Sequence, residues 1–362
     1  MTALFDAREA MVRDNVTPPS PLLGGTMYYV SIDVQNLKRW FAGTIPSAGA
    51  TGTIAHNSNG AGYSVYFSGR RNNNSLQTGL GVETGEYGWE DIVNPASAPG
   101  TAKGVLDTGE DVNGDGVLQT YGQYPHNPAN SFVGWTAPLD ATARPGVGLT
   151  AIQAQSNRAV LFRRALKLIN GKLITPILGL TVISENPVYV QGDWNANSAG
   201  GGWADPHAAT SVLADAVTLL SANWGFDVSF ANPYNSAARN RPTDSYYRLA
   251  ILGGKNPAFP LPTAFAPAAA DFGSDGGAHN FLRMLENNGA GSTVHYQGSI
   301  ATFFFSRQGT GVYKYTLNIY AAPTRDFTFD LDFLDPAKLP PLTPVFRDIN
   351  TIGFFQELRP GK

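Results

Sequence analysis

The chain has 362 residues, a length that fits one large domain or two smaller ones, and its 43% hydrophobic content is enough to bury a core, which excludes global disorder. Its net charge of -3 leaves no basic surface for nucleic acid or for an anionic membrane. The chain has no cysteine, so disulfides, zinc–thiolate sites and cysteine nucleophiles are excluded, and the absence of a long apolar run predicts no membrane span.

The first predicted element is a short helix. Residues 2–14 place apolar side chains at helical spacing, and the pattern stops before Pro18. We therefore expect an N-terminal helical segment over residues 1–16, followed by a single β-rich domain over residues 17–362.

Two strands are predicted next, at residues 27–32 and 62–67, because both segments are rich in β-branched and aromatic residues and are bounded by turn formers. Residues 70–150 then show little periodicity and many Gly, Asn, Asp and Pro residues. A stretch of that length without structure is uncommon in a compact domain unless something, such as an ion, orders it. We expect a loop-rich first lobe, 17–150, and a β core, 151–362.

The β core opens on a segment that the sequence leaves ambiguous. Residues 159–169 fit a helix because of the adjacent Arg163 and Arg164, or a strand because Leu166, Lys167 and Leu168 alternate. Downstream, the patterns predict strands at 173–184, 187–191, 293–305 and 311–320, helices at 209–224 and 280–287, and an extended tail from Ala322 across the surface.

The composition predicts a mainly β fold with long Gly/Asn-rich loops and a few short helices. Charged residues make up only 15% of the chain and aromatic residues 11%, and there are 40 glycines and 25 prolines. Strand–turn–strand units around Gly179, Gly192 and Gly298 have the character of irregular solenoid coils. The core is therefore expected to be β-solenoid-like or sandwich-like, and both alternatives remain open.

A calcium-type loop is the sharpest local motif. Side-chain oxygens stand at positions 1, 3 and 5, Gly116 provides the sharp turn at position 6, and a backbone carbonyl follows at position 7. Position 12 is Gly122 instead of a bidentate Glu, a defect that Asp107 or Glu110 could offset. The alternative is a plain Asp-Gly turn. The predicted Ca²⁺ ligands are Asp111, Asn113, Asp115, the carbonyl of Val117 and, nearby, Gln119.

A group of carboxylates precedes this loop: Glu83, Glu86, Glu90 and Asp91. Glycosidases use a pair of carboxylates as acid and as nucleophile or base, so these residues are candidates for such chemistry. The sequence favours instead a solvated acidic loop or a contribution to the calcium site. The five histidines are scattered, and their spacing does not indicate a zinc or non-haem iron site.

Two tryptophans, Trp194 and Trp203, lie among Asn and Asp residues. Exposed indoles beside such side chains stack on sugar rings and hydrogen-bond their hydroxyls, so we consider both as ligand-binding candidates. The alternative is that both indoles plug the end of the β core.

Five sequence segments carry a resemblance to a known family: residues 179–193 (GLTVISENPVYVQGD), 83–91 (ETGEYGWED), 110–116 (EDVNGDG), 277–283 (GAHNFLR) and 344–348 (PVFRD). As a set, over most of the chain from Tyr29, they resemble large bacterial surface proteins with a prepilin-like, PilX-type amino terminus of type IV pilus assembly. The resemblance implies a structural or adhesive role at a pilus or pseudopilus, with other assembly subunits as partners. This sequence departs from them in lacking the prepilin cleavage site and the hydrophobic first helix.

We therefore expect an extracellular or cell-surface, non-enzymatic structural or adhesive module of a type IV pilus-like assembly. Residues 1–15 mix acidic with apolar residues and are not a signal peptide, so a signal or prepilin segment is expected to be absent from this chain. Two alternatives remain: a carbohydrate-active enzyme that uses the carboxylates of residues 83–91, and a glycan-binding module that uses Trp194 and Trp203.

Overall fold

The computed structural model describes residues 2–6, 8–9, 26–42, 62–69, 164–225, 239, 243–255, 259–260, 272–273, 282–287, 291–304, 306, 309, 314–315, 317–318 and 320–345. Within these residues strands dominate and helices are few, so the prediction of a mainly β fold is confirmed.

The strands of the described residues are two to nine residues long. In chain order they are β1 (Thr2–Phe5), β2 (Thr26–Asp33), β3 (Tyr63–Phe67), β4 (Arg164–Ile169), β5 (Gly179–Ser184), β6 (Val188–Gln191), β7 (Ala209–Ala214), β8 (Val217–Leu220), β9 (Ser245–Gly253), β10 (Phe259–Pro260), β11 (Phe272–Gly273), β12 (Arg283–Met284), β13 (Thr293–Ala301), β14 (Lys314–Tyr315), β15 (Leu317–Asn318) and β16 (Thr324–Thr328).

Most strands belong to two parallel sheets. Sheet 1 has the order β1-β2-β4-β6-β8-β12 and is parallel except for β1, which pairs antiparallel with β2. Sheet 2 has the order β16-β13-β9-β7-β5-β3 and is parallel throughout. Among the described strands from β2 to β9, each strand lies in the sheet opposite to that of the strand before it. The pairs β10–β11 and β14–β15 are separate two-stranded ladders.

The core draws on both sheets. Leu166 and Val188 of sheet 1 and Leu180, Val212 and Leu249 of sheet 2 are fully buried members of one apolar cluster. Burying a side chain of this size contributes about 1.5–3 kcal/mol of stability relative to its exposed state. Burial of these side chains in one cluster therefore holds the two sheets together.

The described α-helix is α1 (Val34–Phe41), which directly follows β2. Asp33 is its N-cap, because the Asp33 carboxylate accepts a hydrogen bond of 3.0 Å from the backbone N–H of Asn36. Lys38 and Arg39 lie in the last turn, where the helix dipole favours positive charge. Among the described residues, no helix has the length and the apolar character needed to cross a lipid bilayer.

Three predicted helices are wrong in their described parts. Residues 2–5 form β1, the segment 209–224 holds β7 and β8, and residues 283–284 form β12. The cause is clearest at β8, whose four residues are all buried. Strands covered on both faces read as continuous apolar runs, and such runs also satisfy helical spacing. The ambiguous segment 159–169 contains β4, so its described part is a strand.

The C-terminal segment (residues 330–345) crosses sheet 2. It contains two 3-10 helices, Leu331–Leu334 and Pro336–Lys338. The carbonyl of Pro341 accepts a hydrogen bond of 2.6 Å from the Thr181 hydroxyl on β5. The Pro341 ring lies against Gly62 and Gly179, where an added Cβ would come within 2.7 Å of the ring. The two glycines thus create the slot that seats this segment.

Candidate functional site

The candidate site is where the C-terminal segment meets the turn before β7. His207 lies in that turn, two residues before the strand begins, and its side chain is 7% exposed. Asp330 is the N-cap of the 3-10 helix Leu331–Leu334, and Asp332 lies in its first turn. The helix start thus presents two carboxylates to one imidazole.

The carboxylates surround His207 unequally. Nδ1 of His207 lies 2.8 Å from Oδ1 of Asp205. On the other side of the ring, Nε2 lies 3.0 Å from Oδ2 of Asp330 and 3.7 Å from Oδ2 of Asp332. The ligand atoms of His207, Asp330 and Asp332 all lie within 4.8 Å of one another. Two carboxylate oxygens therefore converge on one nitrogen, while a third carboxylate fixes the opposite nitrogen.

Each of the two converging carboxylates is held by its second oxygen. Oδ1 of Asp330 accepts a hydrogen bond of 3.1 Å from the backbone N–H of Asp332. Oδ1 of Asp332 accepts one of 2.9 Å from the ammonium group of Lys338. Asp330 is buried and Asp332 is partly exposed, so the site is open to solvent on the Asp332 side.

The electrostatics favour a positive charge between these carboxylates. Burial lowers the pKa of His207, but its hydrogen bonds to Asp330 and Asp205 outweigh burial and raise the pKa above its usual value. The hydrogen bond to His207 is in turn the main reason why the pKa of Asp205 is lowered. An imidazolium that donates from both nitrogens satisfies both contacts.

Arg248 of β9 extends the site across sheet 2. Its Nη1 lies 3.0 Å from Oδ1 of Asp205, and its Nε donates a hydrogen bond of 2.8 Å to the side chain of Gln297 on β13. Burial is the main cause of its lowered pKa. The guanidinium carbon lies 4.8 Å from the centre of the Trp203 ring, in a cation–π contact.

An aromatic row continues from Trp203. The Trp203 ring meets the Tyr246 ring edge to face at 5.3 Å, and Tyr246 stacks on His295 at 4.4 Å. His295 in turn lies between two carboxylates, with Nδ1 2.7 Å from Asp326 and Nε2 3.8 Å from Asp244. Unlike the carboxylates at Nε2 of His207, these two face opposite ring nitrogens.

A second polar cluster lies on sheet 1. The Tyr189 hydroxyl donates a hydrogen bond of 2.7 Å to Asp6, and Arg283 pairs with Glu9. All four side chains are buried, and burial with the nearby Asp6 charge raises the pKa of Tyr189 well above its usual value. Through these two contacts, Asp6 and Glu9 are attached to strands of sheet 1.

The sequence-predicted site residues have different outcomes. The calcium-type ligands Asp111, Asn113, Asp115, Val117 and Gln119 lie outside the described residues, as do the carboxylates of residues 83–91. Trp194 is buried, and its indole N–H donates a hydrogen bond of 3.1 Å to Thr210. Trp203 is only half-buried, so of the two indoles it has the accessible ring surface.

Sequence reasoning did not find His207, Asp330 and Asp332. The chain separation between His207 and Asp330 is 123 residues, and no spacing rule connects residues that far apart. The available local signal was the pair of aspartates at positions 330 and 332, which offers two carboxylates at the start of one turn.

Comparison of the chain with protein-family models, with curated proteins and with solved structures found no match.

Proposed function

We propose that the strands β2 to β9 form the coils of a parallel β-solenoid, and that the chain is an extracellular, non-enzymatic structural or adhesive module of a pilus-like surface assembly. The observation that carries the proposal is the alternation of successive strands between two parallel sheets. A coil, in this proposal, is one strand of sheet 1 followed by one strand of sheet 2, as in β4–β5 or β6–β7.

The side-chain registers support the coil arrangement. In sheet 2, Val182 pairs with Val65 on one side and with Val212 on the other, and Val212 pairs with Ile251. In sheet 1, Leu166 pairs with Val30 and with Val188. Stacked rows of similar apolar residues are the repeating contact through which solenoid coils bury one another.

A cysteine pair tests the coil arrangement, since the native chain has no cysteine. Thr181 of β5 and Ser211 of β7 are in register, and their hydroxyl oxygens lie 2.9 Å apart. We expect the Thr181→Cys/Ser211→Cys variant to form an intrachain disulfide on mild oxidation, measured by thiol titration and peptide mass mapping. The offset pair Thr181→Cys/Leu213→Cys is the matched control. Equal oxidation of both pairs would contradict the proposed register.

The surface role is supported by the resemblance to bacterial surface proteins with a PilX-type amino terminus and by the low charge content of 15%. Its test is fractionation of the native cells, with an antibody raised against this chain. We expect the chain in the surface or secreted fraction, and labelling of intact cells by a membrane-impermeant amine reagent. Recovery from the cytosol alone would refute the proposal.

A second candidate function is glycan binding, and the aromatic row of Trp203, Tyr246 and His295 favours it. The row combines ring surface with the carboxylates of Asp244 and Asp326, the residue types that hold sugar rings and hydroxyls. A glycan array read with wild type, Trp203→Ala and Trp40→Ala tests this function. Trp40 is an exposed tryptophan of α1 whose ring contacts Phe41, so binding by the Trp40 variant and loss in the Trp203 variant are expected. Equal binding by all three would exclude Trp203.

A further inference from the structure

The atoms that converge on Nε2 of His207 match the ligand set of a transition-metal ion. An imidazole nitrogen and two carboxylate oxygens are ligands for Zn²⁺ and for Mn²⁺, whereas Ca²⁺ prefers oxygen alone. Tetrahedral Zn²⁺ with bonds of 2.0–2.1 Å places its ligand atoms roughly 3.3 Å apart. The observed separations from Nε2, 3.0 Å to Asp330 and 3.7 Å to Asp332, bracket that value.

The three ligands are also anchored as metal ligands are. Nδ1 of His207 faces Asp205, Oδ1 of Asp330 is held by a backbone N–H, and Oδ1 of Asp332 is held by Lys338. Outer contacts of this kind orient the ligand atoms toward the ion, and their loss usually reduces metal affinity 10–100-fold. The Lys338 contact should contribute less than the other two, because its ammonium group is exposed and ion pairs in solvent are weak. The other three ligand atoms, Nε2 of His207 and Oδ2 of Asp330 and Asp332, therefore lie together, within 4.8 Å of one another.

The charge balance calls for one more positive charge, which is either the Nε2 proton of His207 or an ion in its place. Asp205, Asp330 and Asp332 carry three negative charges, while Arg248 and Lys338 supply two positive charges beside them. Asp330 is only 2% exposed, and a carboxylate so buried is costly without a positive partner. A divalent ion in place of the Nε2 proton would meet the same two oxygens.

We propose that Nε2 of His207 and Oδ2 of Asp330 and Asp332 form a three-ligand site for a divalent transition-metal ion of the zinc or manganese class. The ion ties the C-terminal segment to the turn before β7. Its fourth position faces solvent on the side of Asp332, which is 39% exposed, so water or a carboxylate of a bound partner completes the coordination.

Titration of the chelator-treated full chain with ZnCl₂, MnCl₂ and CaCl₂ by isothermal calorimetry tests the site. We expect one Zn²⁺ or Mn²⁺ ion per chain at this site and no Ca²⁺ binding that depends on His207. Cobalt(II) provides a second readout, because ligation by His207 produces visible absorption bands that report the coordination geometry.

The variants separate metal ligation from local packing. Asp332→Ala removes a ligand and should weaken Zn²⁺ binding at least tenfold, while Lys338→Ala removes the same ion pair but keeps the ligand, and should change affinity less than threefold. His295→Gln removes the other histidine, whose two ring nitrogens face Asp326 and Asp244 separately. This variant should bind Zn²⁺ like wild type. Circular dichroism checks that each variant folds.

The proposal is overturned if wild type binds neither Zn²⁺ nor Mn²⁺, or if Asp332→Ala and Lys338→Ala weaken binding equally. Loss of binding in His295→Gln with full binding in Asp332→Ala would move the site to the other histidine and would also contradict it.

Discussion

Lys167 is a buried lysine in the middle of sheet 1. The residue is 7% exposed, and its ammonium group lies 4.7 Å from the centre of the Tyr29 ring. Burial lowers the pKa of Lys167 from 10.5 to about 8. Holding the ammonium charged at neutral pH therefore costs folding free energy, which the cation–π contact offsets only in part.

We predict that Lys167→Met raises the free energy of unfolding at pH 7 by about 1–2 kcal/mol. The gain should shrink as pH rises from 8 to 10.5, because the unfolded wild-type chain then binds more protons at this lysine than the folded chain does. Urea unfolding of both proteins at pH 7, 8, 9 and 10 measures the difference. Lys338→Met, at an exposed lysine, is the control. A gain that stays constant with pH would be inconsistent with a low pKa.

The calcium loop remains a prediction at the residue scale. In millimolar Ca²⁺, a calcium-selective chelator should lower the melting temperature of the wild-type chain. A site occupied at a hundredfold excess over its Kd stabilises the fold by about 2.7 kcal/mol. Asp115→Ala should abolish the chelator effect, while Asp332→Ala, at the separate His207 site, should retain it. A wild-type melting curve that does not respond to chelator would mean that the loop is a plain turn.

At the scale of elements, the sequence identified several strands. The predictions at 27–32, 62–67 and 187–191 are confirmed by β2, β3 and β6. The helix prediction at 209–224 failed on β7 and β8, which are almost wholly buried, so that the period of two is lost. The helix α1 was missed, although Asp33 before an amphipathic run with Lys38 and Arg39 near its end is a sequence signal for a helix.

The glycine slot of the C-terminal segment gives a prediction at the same scale. A Cβ at Gly179 would lie 2.7 Å from Cδ of Pro341, so Gly179→Ala should lower the free energy of unfolding by about 1–3 kcal/mol. Pro341→Ala removes the contacting ring atoms, so in that background the cost of Gly179→Ala should fall by at least about 0.5 kcal/mol.

Gly200→Ala is the matched control, because no atom lies within 4 Å of its added Cβ, and its effect should stay within about 0.5 kcal/mol. Denaturant titration of the four-protein cycle measures the coupling. A cost of Gly179→Ala that is the same with and without Pro341 would show that the ring does not define the slot.

At the scale of the whole molecule, knowing which segments are strands did not predict which distant side chains come into contact. The approach of Asp330 to His207 depends on the strand order of sheet 2 and on the path of the C-terminal segment, and neither is readable from local patterns. The prediction of solenoid-like or sandwich-like architecture could go no further, since both arise from the same short strands and glycine-rich turns.

Truncation tests how far the C-terminal segment stabilises the whole fold. A chain that ends at Phe329 loses the His207, Thr181 and Gly179 contacts but keeps the buried cluster of the two sheets. We predict a lower melting temperature with the β-type circular dichroism retained. A chain that ends at Val345 is the matched comparison, because it keeps residues 330–345 and lacks the same residues after Val345. The interpretation fails if the chain that ends at Phe329 melts like the chain that ends at Val345.

The long chain separations at the C-terminal segment have a kinetic consequence. The Thr181–Pro341 hydrogen bond spans 160 residues and the His207–Asp330 contact spans 123. Closing such large loops costs conformational entropy before any contact forms, so early docking of the segment on an unfolded chain is unfavourable. Docking becomes favourable once β3, β5 and β7 have aligned and the slot exists. We therefore expect this segment to be the last part of the described chain to acquire protection from amide exchange during refolding.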